Sequence, residues 1–147
     1  MGVLPEPRPG LVICYSYLWR DEAQQQAVEG AKDRPCAIVV ALGSPGEKSS
    51  RELAVVPVTH APPRDPDLAI EIPARVKVHL GLDDKRSWIV LDEVNIFTWP
   101  GFDLRPVWRG ADRVDYGLHP PAFFARLMEK MDRIAEAGGV THVPRDG

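Results

Sequence analysis

Short runs of apolar residues, each closed by turn residues, predict a mainly β chain. Within the runs, apolar positions alternate with polar ones or form compact blocks rich in β-branched and aromatic residues, as strands do. The predicted strands are LVICYSYLW from residue 11, CAIVVAL from 36, LAVVPVTH from 53, AIEIP from 69 and SWIVLDEV from 87. Proline- and glycine-rich segments such as GSPGEKSSR and APPRDPD separate them.

A helical pattern covers residues 120–137. The segment HPPAFFARLMEKMDRIAEAGG has a proline-tolerant start and a stop at Gly138-Gly139. Its apolar side chains recur at helical spacing, at Phe124, Leu127, Met128, Met131, Ile134 and Ala135. We expect this stripe to pack against the sheet or against a second copy. Two shorter pieces are also helical candidates: VKVHLGL, closed by Gly81, and residues 20–33, which form either a short helix or an excursion between strands.

These elements predict one α+β domain that is mainly β. The 147 residues suffice for a single core, and the absence of βαβ alternation favours a small antiparallel sheet or barrel capped by the C-terminal helix. The domain is expected to span 1–147, with 1–9 irregular because this segment holds three prolines. No apolar run approaches the ~20 residues of a membrane helix, and no secretory pattern begins the sequence. We therefore expect a cytoplasmic protein without membrane contacts.

The charge, the motifs and the cysteine spacing exclude several classes of function. A net charge of −3 gives no overall field that attracts nucleic acid, so any RNA contact needs a local patch. The common motifs of hydrolases, metalloproteases and nucleotide-binding proteins are absent. Cys14 and Cys36 form no CxxC pair, and no His or Cys spacing completes a zinc set, so no metal or cofactor is expected. Each lies in an apolar run, VICY or PCAIVV, so both are predicted to be buried.

Arg34 is the first candidate for chemistry. It stands at the start of a predicted strand, where the fixed φ of Pro35 would hold a guanidinium in place to grip a phosphate with two N–H groups. The alternative is a surface arginine paired with Asp33 or Glu29.

Thr59 and His60 are the second candidates for chemistry. Pro57 cannot donate a ladder hydrogen bond, so it belongs at an edge, a bulge or the last few residues of its strand. A break in pairing there would let a hydroxyl and an imidazole project into a cleft, although a threonine that simply ends a strand is the alternative.

Basic and aromatic residues interleave after residue 98. Arg105, Arg109 and Arg113 recur every four residues, with Trp99, Phe102 and Trp108 between and before them. Single-stranded RNA binding uses this mixture, because cations contact phosphates and aromatic rings stack on bases. A smaller set is Lys85, Arg86 and Trp88. The alternative is that the tryptophans fill the ends of a barrel and the arginines are solvated.

Three blocks carry a family resemblance. Arg-Pro-Cys-Ala-Ile-Val-Val from Arg34, Val-Pro-Val-Thr ending at Thr59 and the acidic strand Val-Leu-Asp-Glu-Val around Asp92 follow Glu29 in that order. From about Gly10 to Phe97 this order resembles the PemK/MazF-like toxins of bacterial toxin–antitoxin systems.

The resemblance implies a fold, an activity and partners. It implies a small SH3-like antiparallel β-barrel with a C-terminal helix, a homodimer, and metal-independent endoribonuclease cleavage of single-stranded mRNA, inhibited by a cognate antitoxin laid across the RNA groove. By the resemblance, Arg34 and Thr59 act at the scissile phosphate. His60 as the proton acceptor is an inference from the residues. The predicted RNA-binding residues are Glu29, Lys85, Arg86, Arg105, Trp108 and Arg109.

The chain also departs from the family pattern. Gly30 stands where a glutamine is common, and Asp92-Glu93 replaces an acidic-Gln pair, which adds negative charge near the expected groove. A barrel that binds RNA or a protein without cleaving is therefore a second hypothesis, favoured if Arg34 is buried and tied to Asp33 or Asp92. A third, a gyrase-directed toxin, is disfavoured because the tail THVPRDG lacks tryptophan.

Overall fold

A computed structural model describes residues 4–24, 32–42 and 51–145. In chain order the elements are β1 Leu11–Tyr15, α1 Arg20–Gln24, β2 Arg34–Ala41, β3 Arg51–Thr59, β4 Ala69–Glu71, α2 Ala74–Leu80, β5 Trp88–Val90, β6 Glu93–Trp99, β7 Asp115–Leu118, α3 Pro121–Glu136 and β8 Thr141–Pro144. A single 3₁₀ turn, Pro66–Leu68, precedes β4. The predicted turn over 43–50 lies outside the described residues, as do residues 25–31 of the predicted helix or excursion.

The strands form one mainly antiparallel sheet. Its path runs β4-β5-β3-β2-β1-β7, while β6 joins β3 and carries β8 as a parallel neighbour. Together with three helices this arrangement is an α+β fold. Among the described strands the two ends of the path do not pair, so the sheet is not a closed barrel.

An apolar core lies on each face of the sheet, and successive side chains of a strand point alternately into the two cores. In β1, Val12 joins the core beneath α2 and α3, whereas Ile13 and Tyr15 join a second core with Phe97. The aromatic rings of Tyr15 and Phe97 stack with centroids 4.6 Å apart. This two-sided burial explains why LVICY reads as an uninterrupted apolar run: all five residues are buried.

The structure confirms a helix at the predicted C-terminal position and a short one closed by Gly81. In α3 the buried side chains are Phe123, Leu127, Met131 and Ile134, and Phe124 and Met128 are partly buried, so the stripe packs against the sheet. Phe123 was not predicted in the stripe, and Ala135, which was, is exposed. Gly81 ends α2 in a left-handed conformation, with φ of 69°. Cys14 and Cys36 are buried free thiols, as predicted. Within the described ranges, no helix has the length and apolarity needed to cross a bilayer.

Two strand predictions need correction, and two strands were not predicted. SWIVLDEV is two strands, because the chain breaks at Leu91, whose N–H donates to the carbonyl of Leu68 outside the ladder at 2.9 Å. LVICYSYLW ends as a strand at Tyr15. The short polar segments that form β7 and β8 were not predicted, since each contains a breaker, Gly117 or Pro144, and pairs only with a distant strand.

Pro57 lies three residues from the end of β3, where that strand changes its neighbour. Residues up to Val55 pair with β6, and pairing with β5 begins at Val58. The missing N–H of a proline is tolerated at such a junction. Because β3 continues past the junction, Thr59 is delivered next to β5 rather than into a loop.

His119, just before α3, gives the fold a pH dependence. The residue is 4% exposed and its ring lies against the Phe123 and Phe124 rings; among the described residues neither ring nitrogen has a hydrogen-bond partner. Burial, aided by His79, lowers its pKa to about 4. Between pH 6.5 and about 4 the unfolded chain takes up a proton at this residue and the folded chain does not.

We therefore expect His119 to remove about 3 kcal/mol of stability as the pH falls from 6.5 to 4, at about 1.4 kcal/mol per pKa unit. Urea unfolding of the wild type and of His119→Leu over this range measures the effect. The variant should lose most of the pH dependence, whereas His142→Leu, at an exposed position, should retain it. Parallel curves for the wild type and His119→Leu would contradict the assignment.

Candidate functional site

The start of β2 and the end of β3 meet at the site. Their register pairs Cys36 with Pro57, and Nη1 of Arg34 donates to the carbonyl of Val58, the residue before Thr59. On the other side of β3, Thr59 pairs with Trp88. The next pair in that ladder would be His60 and Ser87. Sheet register thus gathers residues from three separate segments of the chain.

A cleft of about 110 Å³ lies over this junction. It is lined by Lys32, Asp33, Arg34, Pro35, Val58, Thr59, His60, Leu82, Asp83 and Ser87. All three residues predicted to act in chemistry, Arg34, Thr59 and His60, therefore share one cavity.

The Arg34 guanidinium has contacts on two sides, and some of its N–H groups are unpaired among the described residues. Its Nη1 donates to the carbonyl of Val58 at 3.2 Å, and its guanidinium lies 4.9 Å from the centroid of the Trp19 ring. Its Nε is buried and has no hydrogen-bond partner among the residues that the structure describes. Burial lowers the pKa of Arg34. Within the described residues no carboxylate forms an ion pair with it, and Asp33 instead lies 3.7 Å from Arg105.

The Thr59 hydroxyl donates to no acceptor among the described residues. Its Oγ1 accepts a hydrogen bond from the N–H of Ala61 at 3.1 Å. This contact occupies a lone pair and fixes the hydroxyl at the end of β3, and the O–H remains available to an acceptor in the cleft.

His60 lies beside a carboxylate. Its Nε2 is 2.8 Å from Oδ2 of Asp83, and the other oxygen of Asp83 accepts from Nζ of Lys77 at 2.8 Å and from the N–H of Lys85 at 3.0 Å. The contact with Lys77 is the main reason that the pKa of Asp83 is lowered. Ser87 Oγ accepts from the same lysine at 2.8 Å.

Sequence reasoning missed Asp83, Lys77 and Ser87. Lys77 alternates with Arg75 and His79 in a pattern typical of an exposed face, yet its side chain is 6% exposed. Asp83 sits in a polar turn with no motif. The ladder between β3 and β5, which carries this turn to His60, is a tertiary pairing that local patterns do not record.

A second, more open cleft of about 510 Å³ adjoins the first and shares three of its residues, Asp33, Arg34 and Pro35. Trp108 and Arg109 line it, and Trp108 is 65% exposed. Two of the predicted RNA-binding residues therefore lie on a surface continuous with Arg34.

The other predicted RNA-binding residues are placed differently. Arg105 contacts Asp33 and donates to the carbonyl of Phe102 at 2.7 Å. Arg86 makes two hydrogen bonds to the Glu71 carboxylate, at 2.8 and 2.9 Å, and lies over the buried ring of Trp88. Lys85 lines a neighbouring hollow with Arg86. Glu29 lies outside the described residues.

The acidic pair at 92–93 does not line either cleft. Glu93 is buried and accepts from the Tyr17 hydroxyl at 3.2 Å and the Arg20 N–H at 3.1 Å. Burial raises the pKa of Glu93. Glu93 therefore serves the core rather than adding a surface charge beside the cleft.

Comparison with known proteins returns no match to a family model, a curated protein or a solved structure. The resemblance to PemK/MazF-like toxins accordingly stays a prediction from the sequence.

Proposed function

We propose that this chain is a metal-independent endoribonuclease that cleaves single-stranded RNA, in the manner of PemK/MazF-like toxins. The observation that carries the proposal is the convergence of Arg34, Thr59 and His60 on one cleft, with a buried Nε on Arg34 that has no partner among the described residues. These three side chains supply a cation, a hydroxyl donor and an imidazole, which together meet the needs of phosphodiester cleavage by a ribose 2′-OH.

The proposed reaction begins at the ribose. His60 accepts the 2′-OH proton while the 2′-oxygen attacks the adjacent phosphorus, and the bond from phosphorus to the 5′-oxygen breaks. The products are a 2′,3′-cyclic phosphate and a 5′-hydroxyl, so the leaving oxygen must gain one proton. Arg34 is our candidate for that donor, because it is the cation placed in the cleft and the leaving alkoxide is a stronger base than a neutral guanidine. His60 then releases its proton to solvent and Arg34 recovers one from solvent.

Charge on the phosphate is stabilised by the same group. A guanidinium with unpaired N–H groups in a partly desolvated cleft forms charge-assisted hydrogen bonds to two phosphoryl oxygens. The Thr59 hydroxyl supplies a further donor from the opposite strand. Both donors are held on neighbouring strands of one sheet, so little reorganisation is needed as charge develops.

The second cleft is the proposed path for the strand beyond the scissile phosphate. Trp108 offers an exposed ring for base stacking and Arg109 a cation for a neighbouring phosphate. Because both clefts share Arg34, RNA lying along the second cleft would bring a phosphate to the first.

The test is cleavage of a long single-stranded RNA in EDTA, with mapping of the new ends. We expect 5′-hydroxyl and cyclic-phosphate termini at a short recurring sequence. A single 2′-deoxy substitution at the mapped position should abolish cleavage there. Intact RNA after long incubation with folded protein would contradict the proposal and would favour a domain that binds RNA or protein without cleaving it.

Trp108→Ala is expected to weaken binding of single-stranded RNA by about 5- to 150-fold, since stacking on one base is worth about 1–3 kcal/mol. Leu42→Ala is the control, because Leu42 is a 55% exposed apolar residue that lines neither cleft. Fluorescence anisotropy with a labelled 2′-deoxy-substituted RNA measures both. Equal losses for the two variants would contradict a role specific to Trp108.

Further features follow from the same proposal. They are a relation of this sheet to an SH3-like barrel, a homodimer, a cognate antitoxin that covers the clefts, and a cytoplasmic location. Light scattering of the purified chain tests the dimer directly, with a mass of twice 16.3 kDa as the expected result.

A further inference from the structure

A network of hydrogen-bonded polar side chains, Lys77, Asp83 and Ser87, lies behind His60. Lys77 projects from α2 and is almost fully buried, and each of its three ammonium protons has an acceptor: Asp83 Oδ1, Ser87 Oγ and the carbonyl of Lys85. An ammonium group has three donors and no acceptor, so its capacity is filled. Burying a lysine is costly unless it is paired and fully hydrogen-bonded.

This lysine fixes the carboxylate of Asp83. One oxygen of Asp83 is held by Lys77 and the Lys85 N–H, and only the second oxygen is directed at His60, 2.8 Å from Nε2. The adjacent Lys77 cation also lowers the pKa of Asp83 and keeps this carboxyl ionised at neutral pH. An ionised carboxylate only accepts hydrogen bonds, so the shared proton belongs to Nε2 of His60.

We infer that Asp83, clamped by Lys77, is a positioning residue that holds His60 in the Nε2–H tautomer and leaves Nδ1 as the proton acceptor in the cleft. A neutral imidazole carries one proton, so fixing it at Nε2 frees the lone pair at Nδ1. The described residues provide no hydrogen bond to Nδ1. The part of this inference that concerns catalysis rests on the proposed ribonuclease activity.

Asp83→Asn reverses this arrangement with little change of shape. The amide oxygen can still accept from Lys77 and Lys85, which turns the amide N–H groups toward His60. Nε2 must then accept, and the ring proton moves to Nδ1. A general base with the wrong tautomer loses its acceptor, and we expect RNA cleavage to fall by about 100-fold or more. Asp84→Asn is the matched control, because Asp84 is the exposed neighbouring carboxylate.

Long-range ¹H–¹⁵N NMR reads the tautomer without RNA. His60 is assigned by the signal missing in His60→Gln. We expect His60 to be protonated at Nε2 in the wild type and in Asp84→Asn, and at Nδ1 in Asp83→Asn. A wild-type His60 protonated at Nδ1, or a tautomer that Asp83→Asn leaves unchanged, would overturn it.

The two readouts separate the two hypotheses. If the wild type shows the Nε2–H tautomer but cleaves no RNA, the positioning role of Asp83 stands and the ribonuclease proposal falls. If the wild type cleaves RNA and Asp83→Asn cleaves at the wild-type rate, the ribonuclease proposal stands and the inference about Asp83 falls. Should Asp83→Asn fail to fold, the wild-type spectrum alone decides the tautomer.

Discussion

Arg34→Ala is expected to lower the rate of RNA cleavage by about 100- to 1,000-fold, the usual effect of removing a preorganised donor from an oxyanion site. The cost to stability should be far smaller. Among the described residues Arg34 donates a single hydrogen bond, to Val58, worth about 1 kcal/mol, and it also buries an Nε that has no partner there. Single-turnover cleavage at saturating protein, alongside urea unfolding, separates the two effects.

Two further variants sharpen this prediction. Arg34→Lys keeps the charge but loses the planar fork of N–H groups, so it should recover only part of the rate. Arg133→Ala removes a 64% exposed arginine from α3 and is the matched control. An Arg34→Ala protein that cleaves like Arg133→Ala would contradict a role for Arg34 at the phosphate.

Arg145→Ala is expected to lower the free energy of unfolding by about 3–5 kcal/mol, because it removes one partner of a buried ion pair. The Arg145 side chain is 2% exposed and its Nη2 lies 3.1 Å from Asp103. Its Nη1 donates to the Ser16 carbonyl at 2.7 Å and to Asn95 Oδ1 at 3.1 Å. In the variant, the Asp103 carboxylate, the Ser16 carbonyl and Asn95 Oδ1 each lose the hydrogen-bond donor that Arg145 supplies.

Urea unfolding measures this effect as a fall in the transition midpoint at an unchanged slope. Arg133→Ala is again the control, since its pair with Glu129 is exposed and worth only about 0.3–0.5 kcal/mol. A double-mutant cycle with Asp103→Ala isolates the ion pair. A loss below about 1 kcal/mol for Arg145→Ala would place this arginine among the ordinary surface charges.

The sequence pattern predicted those elements whose signal is local. The period of α3, the cap at Gly81 and the β-branched run of β2 each follow from neighbouring residues. The two cores were not predictable, because a strand buried on both faces loses the alternation that identifies its inner face. The short strands β7 and β8 owe their existence to partners far away in the sequence.

Some residues of the candidate site were also predictable from local sequence, and others were not. Arg34 and Thr59 were identifiable because each follows or precedes a strand block of recognisable composition. Asp83 and Lys77 were not, because an acidic turn and a lysine on a short helix have the pattern of solvated surface. Only the pairing of β3 with β5 reveals that these groups lie behind His60.

The most direct test of the central claim compares the wild type with an Arg34→Ala, Thr59→Ala double variant on one long single-stranded RNA in EDTA, with every new end mapped. Arg133→Ala is carried in parallel. The account predicts recurring cleavage by the wild type and by Arg133→Ala, and none above background by the folded double variant. Cleavage by the double variant at the same positions would contradict it.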